Sequence, residues 1–153
     1  SQAARDIQLL RGPVTWADPH PFPAAAGAEC VFLGRTRAES SDHGALEALE
    51  YSAYEPMARE ILLELATTAM RNHGCLLVRV HHALGRVAVG EASVLVQTAC
   101  PHRSAAFDSC RWLIDALKRS APIWKREIWS DGATWAPGEP AVTPAGLSGE
   151  GRS

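Results

Sequence analysis

The chain has 153 residues, of which 15 are basic and 17 are acidic, and its formal net charge is −2. This length fits one domain of ordinary size, and the slight acidity argues against a nucleic-acid binder that neutralises phosphates over a broad face. The four cysteines include no Cys-x-x-Cys pair, so we expect a reduced cytoplasmic protein without a zinc knuckle or disulfide framework, and no apolar run approaches the ~20 residues of a membrane span.

The predicted elements indicate an α+β fold. We expect a leading segment with a proline-rich loop at residues 1–27, a main domain at 28–136 and a flexible tail at 137–153. Apolar alternation predicts strands at 28–34, 46–51, 76–83, 92–99 and 123–129. Helical periodicity runs from Glu55 to a stop at Gly74, and again from about 102 to 119. This order predicts a single domain with a mixed or antiparallel sheet and two main helices.

Each predicted helix carries one apolar stripe. In the first helix the stripe consists of Met57, Ile61, Leu65 and Ala69. In the second helix it consists of Phe107, Cys110, Ile114 and Leu117. Because residues at this spacing share one side of a helix, we expect these side chains to pack into the core.

Basic residues mark the start of the second helix. His102, Arg103 and Ser104 fall where the backbone N–H groups are free, so these groups, the positive dipole end and the arginine fork can together hold a phosphate. The same residues also fit an ordinary helix start at which His102 caps the helix and Arg103 pairs with a surface acid. The motif alone leaves both interpretations open.

Two lysines lie near the end of the same helix. Lys118 follows the apolar stripe, and Lys125 follows a tryptophan beyond Pro122. Partial desolvation at such positions would make a lysine a better proton donor or nucleophile. Lysine stems also commonly lie over apolar surface with the ammonium group in water. The neighbouring Arg126 favours an anion site at this turn.

Arg35 and Arg37 flank Thr36 at the end of the first predicted strand. Strand alternation would send both arginines to one face, where they suit an acidic ligand, although a solvated strand end is the more ordinary interpretation. The histidines show no metal-ligand spacing, and no serine or cysteine lies in a nucleophile motif. The chain also lacks the glycine motifs of nucleotide sites. We therefore expect no metal and no cofactor.

Five sequence blocks carry a more specific signal. They are FLGRTR at 32–37, LEYSAYEPMA at 49–58, GEASV at 90–94, HRSAAF at 102–107, and IDALK through PIWKRE at 114–127. In this order they resemble the large, catalytic subunit of molybdopterin synthase, over about residues 28 to 135. Five ordered blocks are far more specific than any single motif.

The resemblance implies a sulfurtransferase of molybdenum cofactor biosynthesis with the family's hammerhead-like α+β fold. Its substrate would be cyclic pyranopterin monophosphate, and its product would be the dithiolene molybdopterin. The sulfur would come from a small ubiquitin-like carrier subunit, whose C-terminal Gly-Gly thiocarboxylate enters a pocket of the large subunit. The large subunit would also form a homodimer at the centre of a heterotetramer. Because the sulfur is delivered, none of the four cysteines need be catalytic.

Carried over by motif, the resemblance also implies roles for individual residues. Lys118 and Lys125 are the expected catalytic residues. The expected substrate-binding residues are Arg35, Thr36, Arg37, His102, Arg103, Arg126 and Glu127. Neither a nucleic acid nor a membrane is an expected partner.

Two departures and two alternatives qualify this transfer. His82 is followed by Ala83 where the family usually has arginine, and Pro101 precedes His102 where a small residue is more common. One alternative is a non-catalytic anion-binding or scaffold homologue that binds the carrier without turnover, which the full set of basic motif residues disfavours. The other is a chain fused to its carrier, which a Gly-Gly upstream of Ser1 would decide.

Overall fold

A computed structural model describes residues 4–18 and 21–137 of the chain. Within these residues it contains eight strands and two helices. The strands are β1 (Ala4–Arg11), β2 (Ala28–Arg35), β3 (Ser40–Ser41), β4 (Gly44–Ala53), β5 (Leu77–Ala88), β6 (Ala92–Cys100), β7 (Ile123–Trp129) and β8 (Thr134–Trp135). The helices are α1 (Glu55–His73) and α2 (Arg103–Ser120). The predicted tail lies outside the described residues from 138 onward.

The strands form one mixed sheet in the order β2-β6-β5-β4-β7-β8. Neighbours in this order are antiparallel, β1 is added parallel to β5, and β3 pairs with β4. Both helices pack on one face, where valines of β5 and β6 meet the buried side chains of α1 and α2. The predicted α+β domain with two helices is therefore confirmed.

The sheet begins earlier than the sequence analysis places it. Residues 4–11, which we assigned to the leading segment, form β1, with Ile7 opposite Val80 and Arg11 opposite Leu84 in β5. Polar residues on both sides of the buried Ile7 obscure the apolar alternation of this strand. The predicted boundary between leading segment and main domain is thus not a boundary of the sheet.

β1 and β4 use the same edge of β5, one after the other. β1 ends opposite Leu84, and the next residue, Gly85, lies opposite Tyr51 of β4. Gly85 has a φ of +81°, a conformation that glycine adopts without steric cost, and a Cβ built there would meet no atom within 4 Å. The junction of the two strands therefore leaves open space above Gly85.

The first helix presents small residues to the sheet. α1 ends at His73, and the next residue, Gly74, has a φ of +69° and donates its N–H to the Met70 carbonyl, as the predicted stop requires. The buried residues of α1 are Ala58, Leu62, Ala66 and Ala69. Met57, which we predicted for the core, is 47% exposed. The fully buried positions are therefore shifted by one from the predicted stripe except at Ala69, whereas Leu65 packs against the core only partly buried.

The second helix follows its predicted pattern more closely. Cys110, Ile114 and Leu117 are buried as expected, whereas Phe107, near the start of α2, is 63% exposed. The last turn contains Lys118 and an arginine, which suit the negative end of the helix dipole. The end of α2 therefore carries positive charge beside the sheet.

The other face of the central strands contains a polar network. Asp6 Oδ2 accepts hydrogen bonds from His81 Nε2 at 3.0 Å and from Arg79 Nε at 3.3 Å. Arg79 Nη1 donates to Gln97 Oε1 at 2.8 Å and to the Ala17 carbonyl at 2.7 Å. Because these charges and polar groups find partners within the fold, we assign them a structural role.

Candidate functional site

A cavity of about 900 Å³ opens beside the end of α2. Its walls come from the last turn of α2, from β4 and β7, and from Arg11 at the end of β1. Gly85 of β5 also lines it, so the cavity lies at the junction where β1 gives way to β4. The cavity is therefore surrounded by the end of a helix, two strands and a glycine with open space above it.

The only two lysines of the chain, Lys118 and Lys125, both line this cavity. Lys118 comes from the last turn of α2, and Lys125 lies in β7 opposite Tyr51 of β4. Both are exposed in the isolated chain, which favours the interpretation that their ammonium groups lie in water. Lysine amines can transfer protons and act as nucleophiles, whereas arginine stays protonated. Both lysine amines of the chain therefore lie in the same cavity.

The charge of the cavity favours an anionic ligand. Arg11 and Arg126 join the two lysines, and Glu50 is the one carboxylate among the described lining residues. Glu50 and Arg126 lie opposite each other in β4 and β7, and Arg126 Nη1 also donates to Thr134 Oγ1 at 3.5 Å. Four cations thus face one acid, which concentrates anions in the cleft.

A pair of packed rings, the partly buried Tyr51 and the buried His82, supports one wall of the cavity. The Tyr51 ring packs edge-on against His82, with centroids 5.1 Å apart, and its hydroxyl donates to Ser93 Oγ at 3.2 Å. His82 Nδ1 donates to the Ala83 carbonyl at 2.8 Å. Burial lowers the pKa of His82, the bond to Ala83 opposes this, and the charge of Lys118 lowers the pKa further. His82 is therefore neutral near pH 7 and adds no charge to the site.

Arg35, Thr36 and Arg37 do not line the cavity. Thr36 is buried, and its hydroxyl donates to the Val87 carbonyl at 3.4 Å. Arg35 Nη1 donates to the Gly90 carbonyl at 2.9 Å. β2 ends at Arg35 after a register shift, so the predicted alternation does not extend to Arg37, which is exposed. These contacts anchor the end of β2 to the turn between β5 and β6.

His102 and Arg103 lie at the far end of α2. His102 is the N-cap residue in an extended conformation without a side-chain cap hydrogen bond, and both residues are exposed. Lys118 lies fifteen positions after Arg103 along the helix, which corresponds to about 22 Å at 1.5 Å per residue. One copy of the chain therefore does not bring the predicted phosphate-binding pair to its own lysines.

Glu127 is also outside the cavity, although the sequence analysis expects it in the same pocket. Its Oε1 accepts a hydrogen bond from the indole N–H of Trp129 at 3.1 Å. Conversely, the cavity includes Arg11 and Glu50, which the sequence analysis did not select. Glu50 lies within a family-like block, but its place opposite Arg126 follows from strand pairing, and the position of Arg11 follows from a strand that the pattern did not reveal.

Two further features of the described residues concern metals and membranes. Among residues 4–18 and 21–137, no group of three His, Cys, Asp or Glu side chains is arranged to hold a metal ion. Neither α1 nor α2 is long and apolar enough to cross a membrane.

Fold and cavity together define a class of protein: a single α+β domain whose open cationic pocket suits a small anionic ligand. Comparison of the sequence with known families is more specific. The model of the family described as MoaE protein matches residues 13–120, which are most of the chain. The chain belongs to this family, and the resemblance stated in the sequence analysis is confirmed.

Individual relatives agree with this assignment. A protein from Nostoc sp. named molybdopterin synthase catalytic subunit is 46% identical over 114 residues, which cover 73% of this chain and 68% of the relative. One of the same name from Arabidopsis thaliana is 44% identical over 110 residues, covering 72% and 55%. The solved molybdopterin synthase structure from Staphylococcus aureus superposes with a TM-score of 0.74 at 28% identity, covering 86% of this chain and 96% of that one. This chain thus spans 55–68% of the length of the two sequence relatives.

Proposed function

We propose that this chain is the catalytic subunit of a molybdopterin synthase and transfers sulfur to cyclic pyranopterin monophosphate to form the molybdopterin dithiolene. The observation that carries the proposal is the gathering of both lysines in one cationic cavity of a chain from the MoaE family. The name catalytic subunit, given to its relatives, implies a partner chain. The proposed partner is a small ubiquitin-like carrier that ends in a Gly-Gly thiocarboxylate.

The charge of the cavity answers an electrostatic difficulty of this reaction. Both the thiocarboxylate and the cyclic phosphate are anions, and two unit charges 4 Å apart repel by about 1 kcal/mol in water and about 4 kcal/mol at an effective dielectric constant of 20. Among the described lining residues, four cations and one carboxylate leave a net charge of three positive units around the space where the anions would meet, although Arg11 is also paired with Glu55 outside the cavity. This charge offsets their mutual repulsion.

The two lysines are suited to the chemical steps. For each of the two sulfurs of the dithiolene, the sulfur of one thiocarboxylated carrier bonds to a carbon of the pterin side chain while that carbon's bond to oxygen breaks, which joins the two molecules through a thioester. Lys118 and Lys125 can stabilise the negative charge that develops on the pterin and then donate protons to it. Attack of water on the thioester carbonyl then releases the carrier as a carboxylate and leaves the sulfur on the pterin. A lysine amine that accepts a proton from this water would assist the release.

Two copies of the chain would complete the site. The family resemblance gives His102 and Arg103 a role in binding the precursor, yet about 22 Å of helix separates them from Lys118 within one copy. The resemblance also implies a homodimer. We therefore propose that the start of α2 in one copy supplies its His and Arg to the lysine cavity of the other.

Mixed dimers test this arrangement. One variant combines Lys118→Ala with Lys125→Ala, a second combines His102→Ala with Arg103→Ala, and each alone should be inactive. A mixed dimer keeps one composite site with all four basic residues, so activity should return when the two variants are co-expressed. Inactive preparations in which native mass spectrometry shows mixed dimers would contradict the shared site but leave the synthase proposal standing if the wild type turns over.

A non-catalytic scaffold that only binds the carrier is the competing interpretation. The Lys125→Ala variant distinguishes the enzyme from the scaffold. If the chain is an enzyme, this variant should lose dithiolene formation and still bind the carrier. Arg119→Ala is a matched control, since Arg119 is an exposed cation in the last turn of α2 that does not line the cavity. Equal turnover by wild type, Lys125→Ala and Arg119→Ala would contradict the proposed roles of the lysines.

We also propose a cytoplasmic location for this reaction. All four cysteines are free, and the Sγ atoms of Cys75 and Cys100 lie 3.5 Å apart in the core without a bond between them. Thiols this close fit a reducing compartment, where disulfides are rare.

A further inference from the structure

Arg11 is a cation of the cavity to which neither the sequence pattern nor the family resemblance gives a role. It is the last residue of β1, opposite Leu84, and it lines the cavity together with the two lysines. Its Nη2 donates to Glu55 Oε2 at 3.0 Å, and the two side chains are 76% and 50% exposed. Arg11 therefore sits at the rim of the site, paired with a carboxylate outside it.

This ion pair is weakly held. Exposed ion pairs contribute little to stability, because water solvates both charges and both side chains lose mobility on pairing. Glu55 also lies in the first turn of α1, where the positive end of the helix dipole favours a carboxylate whether or not Arg11 is near. Arg11 can thus exchange Glu55 for another anion at small cost.

The neighbourhood of Arg11 suits an extended chain that lacks side chains. Gly85 adjoins the partner of Arg11 in β5, and a Cβ built on Gly85 would meet no atom within 4 Å. A tail of two glycines can lie close to such a surface. The planar guanidinium group can then donate two parallel hydrogen bonds to a terminal carboxylate or thiocarboxylate. The other arginine of the cavity, Arg126, is half-buried and already contacts Thr134.

We propose that Arg11 binds the charged C-terminal group of the carrier tail and releases Glu55 when it does so. This inference rests on the proposed function, because it takes the carrier as the partner. It makes Arg11 a binding residue for the sulfur donor rather than for the pterin. Glu55 then acts as a competing anion that holds Arg11 at the rim while the site is empty.

A pair of carrier proteins isolates this contact. One ends in the natural Gly-Gly carboxylate, the other in a Gly-Gly amide of the same length without the charge. Their dissociation constants are measured by calorimetry with wild type, Arg11→Ala and Arg5→Ala. Arg5 is the control, because it is an exposed arginine of the same strand that donates to Thr67 Oγ1 at 2.7 Å and does not line the cavity. Thermal unfolding checks that each variant is folded.

We expect Arg11→Ala to weaken binding of the carboxylate carrier by about tenfold and to leave binding of the amide carrier unchanged. Arg5→Ala should change neither constant. Glu55→Gln should tighten binding of the carboxylate carrier, because it removes the competing anion. Equal weakening of both carriers by Arg11→Ala, or of neither, would overturn the inference. Failure of the wild type to bind either carrier would instead contradict the proposed function.

Discussion

Because the chain has only two lysines, amine chemistry can test the charge of the cavity directly. Acetylation neutralises a lysine, whereas reductive dimethylation keeps its positive charge. Both reagents modify Lys118 and Lys125, and both also modify the α-amino group, so the two products differ mainly in charge at the same positions. Acetylation lowers the net charge of the lining side chains from three positive units to one.

The size of the effect follows from the exposure of the two lysines. A unit charge about 4 Å from an anion contributes about 1 kcal/mol in water and about 4 kcal/mol at an effective dielectric constant of 20. Both lysines are exposed, so the lower value applies to each. Loss of both charges should then cost about 2 kcal/mol of binding free energy, or roughly a 30-fold increase in the dissociation constant.

Calorimetric titration with cyclic pyranopterin monophosphate measures this change. Unmodified, dimethylated and acetylated proteins are compared after mass spectrometry has shown complete modification and circular dichroism has shown an intact fold. We expect near-equal affinities for the first two and the weakened affinity for the third. If the acetylated protein binds the precursor as tightly as the dimethylated one, the cavity cations do not attract the substrate and the electrostatic reasoning is refuted.

Two further predictions concern the fold. Burial lowers the pKa of His82 below the ordinary value near 6.5, so its contribution to stability is present above pH 6.5 and is lost as the pH falls toward the folded-state pKa. Between pH 7.5 and 5.5, urea unfolding should therefore show a smaller loss of stability in His82→Gln than in wild type. Equal losses in the two proteins would contradict the lowered pKa. Leu62→Ala should lower the free energy of unfolding by about 2–5 kcal/mol, because Leu62 is 1% exposed. Met57→Ala should lower it by under about 1 kcal/mol, because Met57 is 47% exposed. A larger loss for Met57→Ala than for Leu62→Ala would support the stripe predicted from sequence over the one in the structure.

The sequence was sufficient to predict the elements with strong periodicity. The five strands, the stop of α1 at Gly74 and the length of α2 all follow from patterns that operate within about twenty residues. β1 was not predicted because Ile7 is its one fully buried residue, so the strand shows no apolar alternation. The buried positions of α1 were not predicted because three of the four are alanines, which carry little hydrophobic signal although they permit close packing against the sheet.

The candidate site was predictable only in part. Lys118 and Lys125 are close in sequence and share one cavity, so local reasoning joins them correctly. Arg11 reaches the cavity because β1 pairs in parallel with β5, and His82 supports the cavity wall through its contact with Tyr51. Neither contact can be predicted from a single sequence. The separation of the basic residues along α2 likewise depends on where each end of the helix lies in the fold.

In the proposed function, the lysine cavity carries out sulfur transfer. The most direct test is dithiolene formation from cyclic pyranopterin monophosphate when the chain is mixed with a thiocarboxylated carrier, with wild type, Lys118→Ala and Lys125→Ala compared. We expect product from the wild type and a loss of roughly a hundredfold or more in each variant, as for removal of a catalytic proton donor. No product from the wild type, despite demonstrated binding of an active carrier, would contradict the claim.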